Sequence, residues 1–235
     1  MAEQAGHERR RIGVNTWVWV SPPTDERLTV VIDKIARFGF DVVEIPVENV
    51  GDWTPAHVRG LLAEHSLGVS LCAVTPPGRE LVATDASTVA ETQGYLKALV
   101  DIAVEVGAPT VMGPLYASVG RTWRVSPEER EAMYDELAAN LAAPVAYAAD
   151  AGVRFGIEPL NRFETSVINT VDQALAIVER VGSPALGVAP DTFHMSIEER
   201  GIPAAIERIG EHLVHIQVCG NDRGAPGNDN IDWPG

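Results

Sequence analysis

The sequence has few basic residues, few cysteines and no long apolar segment, and each shortage excludes a class of function. Lysine and arginine together number 18 against 33 acidic residues, so the formal net charge is −15 at pH 7. A surface of this sign repels phosphate backbones and anionic lipids, which argues against nucleic acid and membrane partners. The two cysteines, Cys72 and Cys219, both lie in apolar segments. This placement predicts reduced thiols rather than a disulfide.

The N-terminus is basic, and we expect no targeting segment there. Arg9, Arg10 and Arg11 have no apolar segment behind them, and no segment of the chain approaches the ~20 apolar residues of a membrane span. We therefore expect a cytoplasmic protein in which residues 1–11 form a short flexible tail. Residues 12–235 are expected to form one domain, since α/β barrels of about 250 residues fold as single domains.

Strand and helix patterns alternate along the chain. Segments of β-branched and apolar residues bounded by Gly, Pro or Asp predict seven strands, and these cover residues 12–20, 40–45, 69–74, 110–112, 153–158, 186–191 and 213–218. Helix-start signals lie between them, of which the strongest is the capping box Ser126-Pro127-Glu128-Glu129. This βα repetition implies parallel strands with right-handed crossovers, either closed as an eight-stranded barrel or open and doubly wound.

Nucleotide-binding signatures are missing from this pattern. No Gly-x-Gly-x-x-Gly follows the first strand and no phosphate-binding loop is found, which weakens the open, doubly wound sheet. The sequence therefore predicts a TIM (β/α)8-type barrel in which seven βα units are visible and the eighth strand is missing.

Polar residues follow three of the predicted strands at their carboxyl ends. Glu158 ends one strand just before Pro159, Asp191 ends the next, and either His215 or Gln217 lies in the last. The carboxyl ends of parallel strands meet at one edge of the sheet, where α/β proteins bind ligands. Oxygen and nitrogen donors that converge there would form a site for a divalent metal.

Three motifs taken together resemble those of the xylose-isomerase-like barrel superfamily. They are Glu158-Pro-Leu-Asn-Arg-Phe-Glu164, Asp191-Thr-Phe-His194 and Asn221-Asp-Arg223-Gly224. Within that superfamily the chain is most similar to the ketose 3-epimerases of the tagatose/allulose type and to the broader sugar-phosphate isomerase/epimerase group. The first motif is fairly specific to the epimerases, whereas the other two are only supportive by themselves.

The resemblance implies a role for each matching residue. Glu158 would be both a metal ligand and the acid/base group, and Asp191 would be a second ligand. His194, Arg223 and Glu164 would contact substrate hydroxyls. Outside these motifs, Glu44 lies near the end of the second strand, where it would bind a substrate hydroxyl or hold an arginine.

The third metal ligand departs from the family pattern. Relatives commonly carry His-x-His on the seventh strand, with the second histidine on the metal and an arginine six residues further on. Counting back from Arg223 gives Gln217 rather than His215. Both side chains share one strand face, and at roughly 3.3 Å per residue Gln217 lies about 6.6 Å nearer the carboxyl end. We therefore predict Gln217 as the ligand, with His215 one layer deeper.

The expected reaction is proton abstraction next to a ketose carbonyl, through an enediolate, with C3 epimerisation of a free ketose as the outcome. A divalent ion that bridges the carbonyl oxygen and a neighbouring hydroxyl would stabilise the enediolate while a carboxylate removes the proton. The amide oxygen of Gln217 suits Mn²⁺, with Mg²⁺ or Co²⁺ as alternatives. The family's second acid/base glutamate comes from the eighth strand. We also expect a homo-oligomer, either a dimer or a tetramer.

Three other functions compete with the epimerase interpretation. A metal-dependent lyase or deglycosidase acting on a 3-keto-sugar or glycoside would use the same proton abstraction, and the departures at Gln217 and Gly220, a position often held by glutamate in relatives, favour it. An incomplete site would also suit a non-catalytic partner subunit. Apurinic-site endonuclease chemistry needs several clustered histidines and a basic face, and six scattered histidines with a charge of −15 argue against it.

Overall fold

A computed structural model describes residues 10–233 of the chain. The predicted tail over residues 1–11 lies almost wholly outside the described residues, and the single domain over 12–235 stays a prediction. At the start of the described part, Arg11 Nη2 donates to the backbone oxygen of Asp41 at 3.0 Å, and the backbone N–H of Ile12 donates to Asp41 Oδ2 at 2.9 Å. The chain is therefore already held at residue 11 by Asp41, the residue that precedes the strand beginning at Val42.

The described residues form one parallel sheet with helices between its strands. The strands are β1 Gly13–Asn15, β2 Val42–Val47, β3 Gly68–Ala73, β4 Thr110–Gly113, β5 Arg154–Ile157 and β6 Leu186–Val188. The helices are α1 Asp25–Arg37, α2 Pro55–His65, α3 Ala86–Val106, α4 Pro127–Asp150, α5 Val171–Val181, α6 Thr192–Glu198 and α7 Ile202–Ile209. Each strand pairs in parallel with the next in the order β1 to β6. The predicted alternation and the parallel pairing are thus confirmed.

The helix-start signals mark the helices that the structure contains. Thr24 caps α1, Asp85 caps α3 with hydrogen bonds from the N–H groups of Ser87 and Thr88, and Ser126 and Glu129 form both halves of a capping box at α4. These side chains satisfy N–H groups that have no partner within the helix. Local capping chemistry therefore fixes where α1, α3 and α4 begin.

The first strand is shorter than the sequence predicts. It ends at Asn15 rather than at Val20 because Asn15 Oδ1 accepts the N–H of Trp17 at 2.8 Å and opens a short 3₁₀ turn over Thr16–Val18. The N–H groups of Trp19 and Val20 both donate to the backbone oxygen of Thr16. An asparagine side chain that competes for backbone N–H groups ends the ladder.

The predicted seventh strand, residues 213–218, is not a continuous strand in the structure. It lies beside β6 in the predicted parallel direction, but only two isolated bridges join the two segments, Val188 to Leu213 and Asp191 to Gln217. Pro190 lies between the bridged positions and has no N–H to donate, which interrupts the ladder. The N–H of Gln217 still donates to the backbone oxygen of Pro190 at 2.9 Å. Its pairing places Gln217 next to Asp191.

Gly113, at the end of β4, adopts a backbone conformation that other residues rarely reach. Its φ is +134°, and a Cβ atom there would lie 2.8 Å from the backbone oxygen of Ala73. The carbonyl of Gly113 accepts the backbone N–H of Glu158 at 3.0 Å. This glycine therefore lets β3, β4 and the residue after β5 approach closely.

Within the described residues, no helix is both long and apolar enough to cross a membrane.

Candidate metal and substrate site

The polar residues predicted at the strand ends meet at the carboxyl edge of the sheet. Glu158 directly follows β5, Asp191 follows β6 and begins α6, and Glu44 lies within β2. Ligand atoms of Glu158, Asp191 and His194 all lie within 4.8 Å of one another, and the three side chains are buried. The sequence prediction that residues remote along the chain converge here is consistent with this arrangement.

The carboxylate of Glu158 is buried and has no hydrogen-bond donor among the described residues. The residue is 6% exposed, and among the described residues no donor forms a hydrogen bond to its oxygens; His194 Nε2 lies 3.6 Å from Oε1. The backbone of Glu158 is fixed, because its backbone oxygen accepts a hydrogen bond from the hydroxyl of Tyr116 at 3.0 Å. Burial, followed by the nearby charges of Asp191 and Glu44, raises the pKa of Glu158 well above its ordinary value. Ionised Glu158 thus lacks the stabilisation that buried charges normally receive.

Asp191 has a different environment because it also caps a helix. Its Oδ1 accepts the N–H of Phe193 at 2.7 Å and the thiol of Cys219 at 3.3 Å, while Oδ2 lies 3.7 Å from Arg223 Nη1. Burial raises the pKa of Asp191, although these hydrogen bonds and the Arg223 charge act in the opposite direction. Oδ1 therefore caps the first turn of α6, while Oδ2 accepts no hydrogen bond from the described residues.

His194 presents an N–H group to the site. Its Nδ1 accepts the backbone N–H of Asn161 at 3.0 Å and the Asn161 side-chain amide at 2.9 Å. A neutral imidazole that accepts at Nδ1 carries its proton on Nε2. Burial, with a smaller contribution from Arg223, lowers the pKa of His194 to about 3, so the ring is neutral. Nε2 faces Glu158 and is suited to donate to an oxygen atom rather than to ligate a metal.

Gln217 and Glu44 are joined directly. Gln217 Nε2 donates to Glu44 Oε1, and within the described residues nothing donates to the amide oxygen of Gln217. Glu44 also accepts Asn15 Nδ2 at 2.8 Å, Ser70 Oγ at 3.3 Å and His215 Nε2 at 2.8 Å. Burial alone would raise the pKa of Glu44, but the hydrogen bonds from these donors, led by His215, lower it below the ordinary value.

Arg223 and Glu164 form the outer part of the site. Arg223 Nη2 donates to Glu164 Oε1 at 3.0 Å, and the guanidinium group stacks on the Phe193 ring at 3.8 Å. Glu164 Oε1 also accepts Asn161 Nδ2 at 2.8 Å. The side chain of Arg223 is 48% exposed, so it lies at the solvent boundary. Both predicted substrate contacts are thus on one side of the site, next to His194.

Several residues of the site were missed by the sequence analysis. Asn161 lies inside the first motif, and Phe193 lies between Asp191 and His194, so both were within reach of the motif argument. Asn15 and Ser70 gave no local signal, because they contact Glu44 from strands distant in sequence. The helix α6 was missed too, although Asp191 followed by Thr192 is a helix-start signal.

The donor set fits a divalent cation. Glu158 and Asp191 are two buried carboxylates whose pKa values are both raised, and a cation between them would stabilise both ionised forms. The backbone of Gln217 pairs with that of Asp191 through the parallel bridge, and the side-chain amide oxygen of Gln217 would add a third oxygen. Oxygen ligands of this kind suit Mg²⁺ or Mn²⁺.

Comparison with known proteins agrees with the fold and with the motifs. The chain is 30% identical over 223 residues to a probable ketose 3-epimerase of Synechocystis sp. The alignment covers 95% of this chain and 77% of that protein. The chain is also 29% identical to a ketose 3-epimerase of Arthrobacter globiformis, and this alignment covers 95% of the chain and 76% of that protein. The crystal structure of D-allulose 3-epimerase from Methylomonas sp. in complex with D-allulose superposes with a TM-score of 0.88 at 27% identity, covering 96% of this chain and 77% of that one.

These likenesses confirm the barrel prediction. The six parallel strands correspond to part of a TIM barrel, and the described strands do not close into a complete ring. The sequence profile described as xylose isomerase-like TIM barrel matches residues 32–235. The chain therefore belongs to the xylose isomerase-like TIM barrel family.

Proposed function

We propose that the protein is a divalent-metal-dependent sugar epimerase that removes the proton next to a ketose carbonyl, with C3 epimerisation of a free ketose as its reaction. The relatives that cover most of the chain are ketose 3-epimerases, and the Methylomonas sp. structure holds D-allulose. Their names support a sugar substrate and an epimerase activity for this chain.

The contrast between two buried glutamates carries the proposal. Glu44 receives four side-chain hydrogen bonds and has a lowered pKa, whereas Glu158 receives none from the described residues and has a raised pKa. A general base needs a pKa near the working pH and an oxygen that is not already occupied. Burial raises the pKa of Glu158 from its ordinary value, and its oxygens accept no hydrogen bond from the described residues, so Glu158 suits this role better than Glu44. The resemblance to the epimerase motif also implies that Glu158 is the acid/base group.

The other residues have complementary roles in the proposed reaction. Glu158, Asp191 and Gln217 would hold the cation, which supplies electrostatic stabilisation of the negative charge that develops on the substrate oxygens. His194 donates its Nε2–H to a substrate oxygen and orients it. Arg223 and Glu164 bind hydroxyl groups at the outer side of the site.

A solvent exchange experiment tests this proposal. The protein is incubated with Mn²⁺ and a panel of free ketoses in deuterium oxide, and deuterium at C3 is measured by NMR. We expect incorporation at C3 together with formation of the C3 epimer. A 3-keto-glycoside is tested in parallel, and deuterium that enters only C2 or C4 of that compound, with none in the free ketoses, would replace the proposal with the lyase or deglycosidase alternative.

The absence of exchange with every substrate despite Mn²⁺ binding would overturn the proposed function and favour the partner-subunit alternative. The identity of the metal as manganese, the homo-oligomeric state and the cytoplasmic location stay predictions from the sequence. Metal content of the purified protein and its mass in solution test the first two.

A further inference from the structure

The hydrogen bonds around Glu44 leave its carboxylate no room for a substrate. A carboxylate offers about four lone-pair positions, two on each oxygen. Here Oε1 accepts from Asn15 and Gln217, and Oε2 accepts from Ser70 and His215. The residue is 4% exposed. All four positions are therefore filled by the protein itself, which is the opposite of the situation at Glu158.

A filled carboxylate controls the orientation of the amide that contacts it. An ionised carboxylate accepts hydrogen bonds and donates none, so a glutamine beside it must present its NH₂ group. Gln217 does so, and its amide oxygen is consequently turned away from Glu44. The backbone of Gln217 is held independently, because its N–H donates to Pro190 and its oxygen accepts the N–H of Thr192 at 3.1 Å.

We propose that Glu44 is a positioning residue that fixes the Gln217 side chain with its oxygen, rather than its nitrogen, toward the cation held by Glu158 and Asp191. This inference rests on the proposed function, since it assigns Gln217 as the third ligand. The bond spans 173 residues of sequence and joins β2 to the segment beside β6.

The substitution E44Q tests the inference through metal affinity. A glutamine at position 44 can no longer accept four hydrogen bonds, so Gln217 loses its fixed orientation. We expect the dissociation constant for Mn²⁺, measured by isothermal titration calorimetry, to rise by about 10- to 100-fold, which is typical when a group that orients a metal ligand is removed. E199Q is the matched control, because the side chain of Glu199 is only 7% exposed and contacts Val171 and Arg208. Its affinity should stay within about twofold of the wild type.

A double-mutant cycle separates a positioning role from a merely structural one. If Glu44 acts through Gln217, then E44Q combined with Q217A binds Mn²⁺ no more weakly than Q217A alone. Additive losses in the double variant would overturn the inference. Mn²⁺ binding by Q217A at wild-type affinity would also overturn it, since Gln217 would then not be a ligand. Thermal unfolding of each variant is recorded alongside.

A measurement on the wild-type protein covers the case in which E44Q does not fold. Uniformly ¹³C,¹⁵N-labelled protein is titrated with Mg²⁺, and the Gln217 side chain is followed by NMR. We expect the amide carbonyl carbon to shift while the NH₂ group keeps its hydrogen-bonded resonances. A carbonyl carbon that does not respond would overturn the inference. The C3 exchange assay on the same sample reports on the proposed function separately, since wild-type exchange could fail while the Gln217 response is intact.

Discussion

Asn161 and His194 are joined by two hydrogen bonds that end on the same ring nitrogen. The backbone N–H of Asn161 lies 3.0 Å from Nδ1 and its Nδ2 lies 2.9 Å from it. The orientation of the Asn161 amide is set by its other contacts, since Oδ1 accepts the N–H of Phe163 and Nδ2 also donates to Glu164. Two donors on one nitrogen leave the imidazole proton on Nε2.

This geometry predicts the tautomer of His194 directly. Long-range ¹H–¹⁵N correlation spectra of the histidine rings should show His194 as the neutral Nε2–H form, and saturating Mg²⁺ should leave that proton in place. The variant N161A keeps the backbone donor and should keep the same tautomer. Loss of the Nε2 proton on addition of Mg²⁺ would instead make His194 a metal ligand and displace Gln217 from that role.

The raised pKa of Glu158 predicts that metal binding releases a proton. Burial and the charges of Asp191 and Glu44 keep the metal-free carboxyl protonated above its ordinary pKa of 4.5, whereas a cation requires the ionised form. Mg²⁺ affinity should therefore increase with pH up to the raised pKa. Calorimetry in buffers of different ionisation enthalpy should detect the released proton in the wild type, and a smaller release in E158Q. Equal release in both proteins would contradict the assignment.

The same pKa fixes the sign of one contribution to stability. Because the folded-state pKa of Glu158 lies above its unfolded value, the stabilising contribution of this group is complete below pH 4.5 and is lost as the pH rises through the raised pKa. Metal-free E158Q should not show this loss of stability with rising pH, because a glutamine at position 158 does not titrate. Chemical unfolding of both proteins at a series of pH values measures it, and parallel pH profiles would be the contrary result.

Arg223 is predicted to act on substrate affinity rather than on stability. It adopts a left-handed backbone conformation, with φ of +65°, and its guanidinium group stacks on Phe193 and pairs with Glu164. R223K keeps the charge but loses the planar stack and the fork of donors. We expect KM for the ketose to rise about tenfold, which corresponds to a loss of ~1.4 kcal/mol of binding free energy. The Tm should not change. An unchanged KM would show that Arg223 contacts Phe193 and Glu164 without binding the substrate.

Much of the fold was predictable because its determinants are local. Capping residues such as Ser126 with Glu129 lie within one helical turn of each other, and strand-end acids such as Glu158 follow their strands directly. The early end of β1 was less accessible, because a single hydrogen bond from the Trp17 N–H to Asn15 decides it. The broken seventh strand depends on Pro190, which belongs to the neighbouring segment rather than to the strand itself.

The contacts that define the chemistry were not predictable from spacing. His194 and Asn161 are 33 residues apart, and Gln217 and Glu44 are 173 apart. Motifs therefore named the residues facing the site, but they gave neither the tautomer of His194 nor the filled state of Glu44. The prediction of Glu44 as a substrate contact is not tested directly. Its four hydrogen bonds from protein donors favour the positioning role instead.

A comparison of wild-type protein with E158Q tests whether Glu158 is the base. Wild-type protein and E158Q, both loaded with Mn²⁺ and both shown to be folded, are incubated with the same ketose in deuterium oxide, and the initial rate of deuterium incorporation at C3 is measured. We expect E158Q to exchange about 10²- to 10⁴-fold more slowly. An E158Q rate equal to that of the wild type would show that another group removes the proton.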